Sequence, residues 1–306
     1  MGGYCMSDEK SLKYNEPWIL QRADPYVYRH TDGSYYFTAS VPAYDGIVLR
    51  RAGSLAELSG AEEVMVWKKH ESGPMSYHIW APEIHYLFGK WYIYFAGGEA
   101  EDIWKIRPYV LECSGDDPLT DEWVELGKMK RAAEDEFSFE AFSLDATVFE
   151  NKGEYYYVWA EKVGVGKMIS NLYIAKMESG NQLKTVQVLL TTPDYDWERK
   201  GFWVNEGPAV IHHDGKMFLT YSASETGVDY CVGMLSIDED ADILDPRLWK
   251  KERYPVLKTC EKLGIYGPGH NSFTVDEDGN DVMVYHARTE AEINGDPLYN
   301  PNRHAM

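Results

Sequence analysis

The chain has 306 residues, 44% hydrophobic and 14% aromatic, with 50 acidic against 30 basic side chains and a formal net charge of −20. That length and apolar content suffice for one large or two modest domains with a sizeable core. The acidic balance, without Lys/Arg clusters, excludes nucleic acid as a partner, and no stretch approaches the ~18 apolar residues of a membrane span.

The N-terminus, "MGGYCMSDEKSLKYNEPW", has no basic region followed by an apolar run, so it does not read as a secretory leader. Residues 1–15 are expected to form a loosely ordered segment. Cys5, Cys113, Cys231 and Cys260 stand far apart and show no CxxC or zinc-type spacing. They read as free thiols, which points to a cytoplasmic protein.

From residue 23 onward one pattern recurs. "ADPYVYRHTDGSYYFTAS" from Ala23, "WAPEIHYLFGKWYIYFAGG" from Trp80 and "LDATVFENKGEYYYVWAEK" from Leu144 are each a short strand, a turn and a second strand rich in aromatic or β-branched residues. "FWVNEGPAVIHHDGKMFLTYSAS" from Phe202 and "GHNSFTVDEDGNDVMVYHAR" from Gly269 repeat it. The turn glycines are Gly33, Gly89, Gly153, Gly215 and Gly279, where only a residue tolerant of positive φ serves a tight hairpin. Anchors ahead of the first strands are Asp24, Ala81, Asp145, Glu206 and His270, spaced by 57, 64, 61 and 64 residues. Between the hairpins, residues 46–53, 106–114, 171–178 and 230–238 supply further strands, and helical turns are expected only near "SLAELSG" and "DPRLW".

A period of about 60 residues, each unit a four-stranded sheet, predicts an all-β, five-bladed β-propeller. The whole chain, 1–306, then forms one propeller domain. A two-sheet sandwich would not explain five similar hairpins at even spacing. First strands line the axis of a propeller, so the anchors should ring one end of the channel. Asp24, Asp145 and Glu206 would converge there, with His270 on the axis and Glu83 nearby in a structural role. Gathered carboxylates raise one another's pKa, which suits acid–base work or a cation site better than a purely structural ring. Glycosidic cleavage needs such a set, one group protonated and another ionised.

"RADPYV" (22–27), "WAPEI" (80–84), "SLDATVF" (143–149), "NEGPAV" (205–210), "GPGHNSF" (267–273) and "YHAR" (285–288) together resemble glycoside hydrolase family 43, in the right order over roughly residues 16–303. The resemblance implies an inverting mechanism, with Asp24 as the base that activates water, Glu206 as the general acid and Asp145 as the residue that orients the acid and tunes its pKa. Base and acid would stand ~6.5–9.5 Å apart to admit that water. It further implies a sugar-pocket arginine at Arg288 and a pocket wall at Trp80. His270 reads either as an internal histidine bonded to its neighbours or, as the resemblance implies, as a residue touching a hydrated structural calcium ion in the central channel through water. No cofactor is required for the chemistry. Trp203 reads either as substrate wall or as core, and Phe142 as a residue of the pocket rim.

Within the family the chain looks most like the exo-acting α-L-arabinofuranosidase branch, releasing L-arabinose from arabino-oligosaccharides, arabinan or arabinoxylan side chains. A β-D-xylosidase or galactan-directed hydrolase on the same scaffold is one alternative, and a non-catalytic carbohydrate-binding propeller another. The expected partner is a small oligosaccharide, and nothing in the sequence sets an oligomeric state. Relatives commonly add a strand after a stretch such as "LYNPNRHAM". Here either the N-terminal segment closes the last sheet or that sheet is short.

Overall fold

The computed structural model describes residues 17–165, 167–293, 295–296 and 302–306; the expected loose segment 1–15 lies outside them. Five antiparallel sheets follow one another along the chain. The first comprises β1 (Ala23–Arg29), β2 (Tyr35–Ser40), β3 (Gly46–Ala52) and β4 (Val64–Lys68). The second comprises β5 (Tyr77–Leu87), β6 (Lys90–Glu99), β7 (Asp102–Cys113) and β8 (Val124–Lys128). The third holds β9 (Ser143–Asn151), β10 (Glu154–Val165), β11 (Lys167–Ser179), β12 (Gln182–Leu183) and β13 (Val188–Thr191). The fourth holds β14 (Asn205–His213), β15 (Lys216–Ala223), β16 (Cys231–Asp238) and β17 (Lys250–Lys251), and the fifth β18 (Tyr266–Val275), β19 (Asp281–Arg288) and β20 (His304–Ala305).

The innermost strands touch in a ring: β1 meets β5, β5 meets β9, β9 meets β14, β14 meets β18, and β18 returns to β1. This is the five-bladed propeller expected from the repeat. Aromatic and aliphatic side chains fill the wedges between blades, as where Tyr94, Tyr157 and Trp159 join the second blade to the third. "SLAELSG" contains a 3-10 turn at Ala56–Ser59, whereas "DPRLW" is an ordinary turn. Among the described residues no helix is long and apolar enough to cross a membrane.

The ring closes at the fifth blade by both ends of the chain. His304–Ala305 pairs with β19. Ile19 bridges Ala305, with Ala305 N donating to Ile19 O at 2.9 Å and Trp18 N donating to Ala305 O at 2.8 Å. The last strand of the fifth sheet is therefore His304–Ala305, and the chain at Trp18 and Ile19 pairs with it.

Each inner strand breaks register at the same place. The pairs Ala23–Ser40, Trp80–Ala96, Leu144–Ala160, Glu206–Ser222 and Gly269–His286 precede a bulge. The next residue in each case takes positive φ: Asp24 at 55°, Ala81 at 47°, Asp145 at 52°, Gly207 at 52° and His270 at 45°. Three of the five bulges then continue with proline, at Pro25, Pro82 and Pro208. Proline has no N–H to leave unpaired where the ladder is interrupted. Asp24-Pro25 is thus a bulge within a strand and not a turn.

The bulges correct the sequence alignment of the blades by one residue. The fourth-blade counterpart of Asp24, Asp145 and His270 is Gly207. Glu206 occupies the preceding position, equivalent to Trp80 and Leu144. A side chain at 207 would crowd His270, since a Cβ there would lie 3.1 Å from its Cγ and 3.2 Å from its Nδ1 and the ring would have to give way.

Candidate active site

A cavity of about 550 Å3 opens where the bulges gather, and Asp24, Asp145, Glu206 and His270 all line it. In three blades a support for this floor comes from the position opposite the pre-bulge residue: Ser40, Ser222 and His286. Ser40 Oγ donates to Asp24 Oδ2 at 2.5 Å and accepts the amide of Ala81, on the next blade, at 2.8 Å. Ser222 Oγ accepts the amide of His270 at 2.6 Å, again one blade on. Nδ1 of His286 accepts the amide of Asp24 at 3.1 Å, across the closure of the ring. A side chain at the end of one hairpin thus fixes the strained residue of its neighbour.

Asp24 is buried beside two histidines and an arginine. His270 Nδ1 stands 3.3 Å from its Oδ1, His286 Nδ1 3.2 Å, and an Arg303 guanidinium nitrogen 3.9 Å. Burial alone would raise its pKa. The charges of His270 and Arg303 outweigh it and hold Asp24 ionised, well below the usual carboxylate range. Burial lowers His286 to about 3, so it acts as a neutral ring. His270 is raised: burial opposes its charge, but Asp145, Asp24, Glu206 and Glu83 more than compensate.

Asp145 and Glu206 have the opposite character. Asp145 accepts the Gly207 amide at 3.2 Å and lies 3.6 Å from His270 Nδ1. Burial, then the charges of Glu206 and Asp24, raise its pKa despite His270. Burial and Asp24 also raise Glu206, against the hydrogen bond from Tyr230 and the charges of His270 and Lys162. Both carboxyls are thus held above the ordinary carboxylate range, the opposite of Asp24. Tyr230 Oη donates to Glu206 Oε1 at 2.8 Å, and its ring stacks on His286 at 5.6 Å between centroids. This stacked pair links the surroundings of Glu206 to those of Asp24.

Trp80 lines the cavity, packed against Tyr44 and Trp104. Phe142 and Trp203 line it too, each ring covered by cations: Lys162 over Phe142 at 3.7 Å, Lys167 and Arg199 over Trp203 at 4.4 and 4.5 Å. Arg288 is not among the lining residues. It is 1% exposed and donates to the carbonyl of Thr226, which is on the wall. The arginine that reaches the cavity is Arg303. Glu83 is buried and bonded to His85 at 2.9 Å. Among the described residues no three His, Cys, Asp or Glu side chains converge to hold a metal ion.

Sequence reasoning missed Ser40, Ser222, Tyr230, Arg303 and Lys162. The two serines had a signal, the last residues of "YYFTAS" and "FLTYS" at matching hairpin ends. His286 stood in the quoted "YHAR". Tyr230, Arg303 and Lys162 had none.

A closed ring of five blades with three carboxylates lining one cavity, one with its pKa held down and two with theirs raised, is the layout of a glycoside hydrolase. The sequence pattern of glycosyl hydrolases family 43 matches residues 14–306, and the chain belongs to that family. It is 50% identical over 96% of its length to a Streptomyces avermitilis protein named "Extracellular exo-alpha-(1->5)-L-arabinofuranosidase", spanning 60% of that protein. It is 49% identical over 96% of its length to a Streptomyces chartreusis protein of the same name, spanning 88% of it. A crystal structure of an alpha-L-arabinofuranosidase from Lactobacillus brevis matches with a TM-score of 0.89 and 52% identity, covering 96% of this chain and 91% of that one.

Two findings overturn the cytoplasmic expectation. Both Streptomyces relatives are named as extracellular. Cys260 is disulfide-bonded, and only Cys113 and Cys231 are free thiols among the described residues; disulfides persist in oxidising compartments.

Proposed function

We propose that the propeller is the catalytic domain of a secreted, inverting, exo-acting α-L-arabinofuranosidase that releases L-arabinose from arabino-oligosaccharides and arabinan or arabinoxylan side chains. The relatives named above support the sugar and the exo mode. One observation carries the chemistry: three carboxylates line one cavity, Asp24 in surroundings that lower its pKa, Asp145 and Glu206 in surroundings that raise theirs. Asp24 takes a proton from water as its oxygen attacks the anomeric carbon. Glu206 gives its proton to the glycosidic oxygen as that bond breaks. Attack opposite the leaving group inverts the anomeric centre. Asp145 orients the acid segment through the Gly207 amide.

Calcium belongs to this proposal only as a structural ion. It takes 6–8 oxygen ligands, and the described residues offer no convergent acidic set. Contact would pass through water on His270, and no step above depends on it.

The test is to assay aryl α-L-arabinofuranoside beside aryl β-D-xyloside and to follow the first-formed sugar by NMR. Faster release of arabinose as the inverted anomer is expected. Preference for the xyloside would transfer the site to a β-xylosidase, and retained configuration would remove Asp24 from its role.

A further inference from the structure

Most lysines near acidic groups in this chain are ion-paired, as Lys90 is with Glu112, Lys105 with Glu99 and Lys251 with Glu198. Lys162 is different. It lines the cavity, and no hydrogen bond or ion pair engages its ammonium among the described residues. The ammonium rests 3.7 Å above the centroid of Phe142, itself a wall residue. The backbone amide of Lys162 donates to the Phe142 carbonyl at 2.9 Å, which ties ring and lysine together.

Strand pairing puts Lys162 on the Glu206 side of the cavity. Lys162 lies opposite Ser170 across β10 and β11. Ser170 in turn bridges Val204, and its hydroxyl donates to the carbonyl of Asn205, next to Glu206, at 3.3 Å. A general acid stands beside the oxygen it protonates, so this is the side on which the leaving group departs. An ammonium offers three donors and no acceptor, and an aromatic face beneath it holds it without neutralising it.

We propose that Lys162 is a specificity-determining residue for the leaving group, donating hydrogen bonds to the hydroxyl or ring oxygens of a departing sugar. The enzyme would thereby favour saccharide over aryl leaving groups. The proposal deepens the functional reading above and rests on it for the position of the acid. The same ammonium lowers the pKa of Glu206, a second effect that travels with its charge.

The experiment compares wild type, Lys162→Met and Lys162→Arg on α-1,5-linked arabinotriose and on an aryl α-L-arabinofuranoside. In Lys162→Met the ratio of kcat/KM, triose over aryl, should fall about 10- to 100-fold, the size of one charge-assisted hydrogen bond. The fall should lie mainly in KM for the triose, and Lys162→Arg should restore most of it. Removing the cation should also move the alkaline limb of kcat/KM to higher pH on both substrates. An unchanged ratio, or equal losses on both substrates, overturns the proposal. A wild type that cleaves a different glycoside instead overturns the arabinofuranosidase reading. The same paired comparison on that sugar's oligosaccharide and aryl glycoside then decides the role of Lys162.

Discussion

Asp24 in the first blade and Glu206 in the fourth face one cavity, yet their surroundings are opposites. Around Asp24 stand the donor Ser40, the charged groups of His270 and Arg303, and the neutral ring of His286, contributed by the first and fifth blades. Around Glu206 stand the hydrogen-bonding Tyr230, the like-charged Asp145 and the ammonium of Lys162. Burial pushes both carboxyls toward the neutral form, and only at Asp24 do enough positive groups reverse it. The protonation state is therefore a property of the blades that meet there and not of the acid's own strand.

The sharpest way to break that contrast is to neutralise each acid in turn. Asp24→Asn and Glu206→Gln should each lower kcat/KM on an arabino-oligosaccharide by about 10²- to 10⁴-fold, the usual share of general acid–base catalysis. Only Glu206→Gln should recover on an aryl substrate whose leaving group departs without a proton. Equal recovery of the two variants would mean that the roles are not divided as proposed.

Gly207→Ala tests the hinge between the two regions. The added Cβ meets His270 and forces positive φ on a side-chain-bearing residue, so denaturant unfolding should show a loss of about 1–3 kcal/mol. An unaltered midpoint would show that His270 does not depend on this glycine for its seat.

The pH profile of kcat/KM separates the two surroundings. Activity needs Asp24 ionised, so it is lost as pH falls through a pKa held below the ordinary carboxylate range. It also needs Glu206 protonated, so it is lost as pH rises through a pKa held above that range. Arg303→Met removes a cation from Asp24 and should move the acid limb up by about one unit. Tyr230→Phe keeps the ring on His286 but removes the donor that favours ionised Glu206. The alkaline limb should then rise by about half to one unit. Movement of the wrong limb in either variant would erase the distinction.

The sequence carried the repeat because a hairpin advertises itself locally. A glycine at positive φ and a following aromatic strand are needed in every blade whatever its neighbours do. The same regularity exposed Asp24, Asp145 and Glu206, each beside its bulge. It misaligned the fourth blade by one residue, because the conformational demand falls on Gly207 while the functional group sits on Glu206, and residue type alone cannot separate the two. Arg288 in "YHAR" reads as a pocket residue, but its side chain serves the wall from behind while Arg303 enters the cavity.

The amino-acid order by itself thus determined a circular array of five sheets and which carboxyl groups stand at its mouth. Only the tertiary structure decided their ionisation, which cations cover Phe142 and Trp203, and how Ile19 and Ala305 shut the ring. The physical reason is range. Turn and strand preferences act over a few residues, whereas charge, burial and hydrogen bonding act through space between blades some sixty residues apart, once closure has made them neighbours.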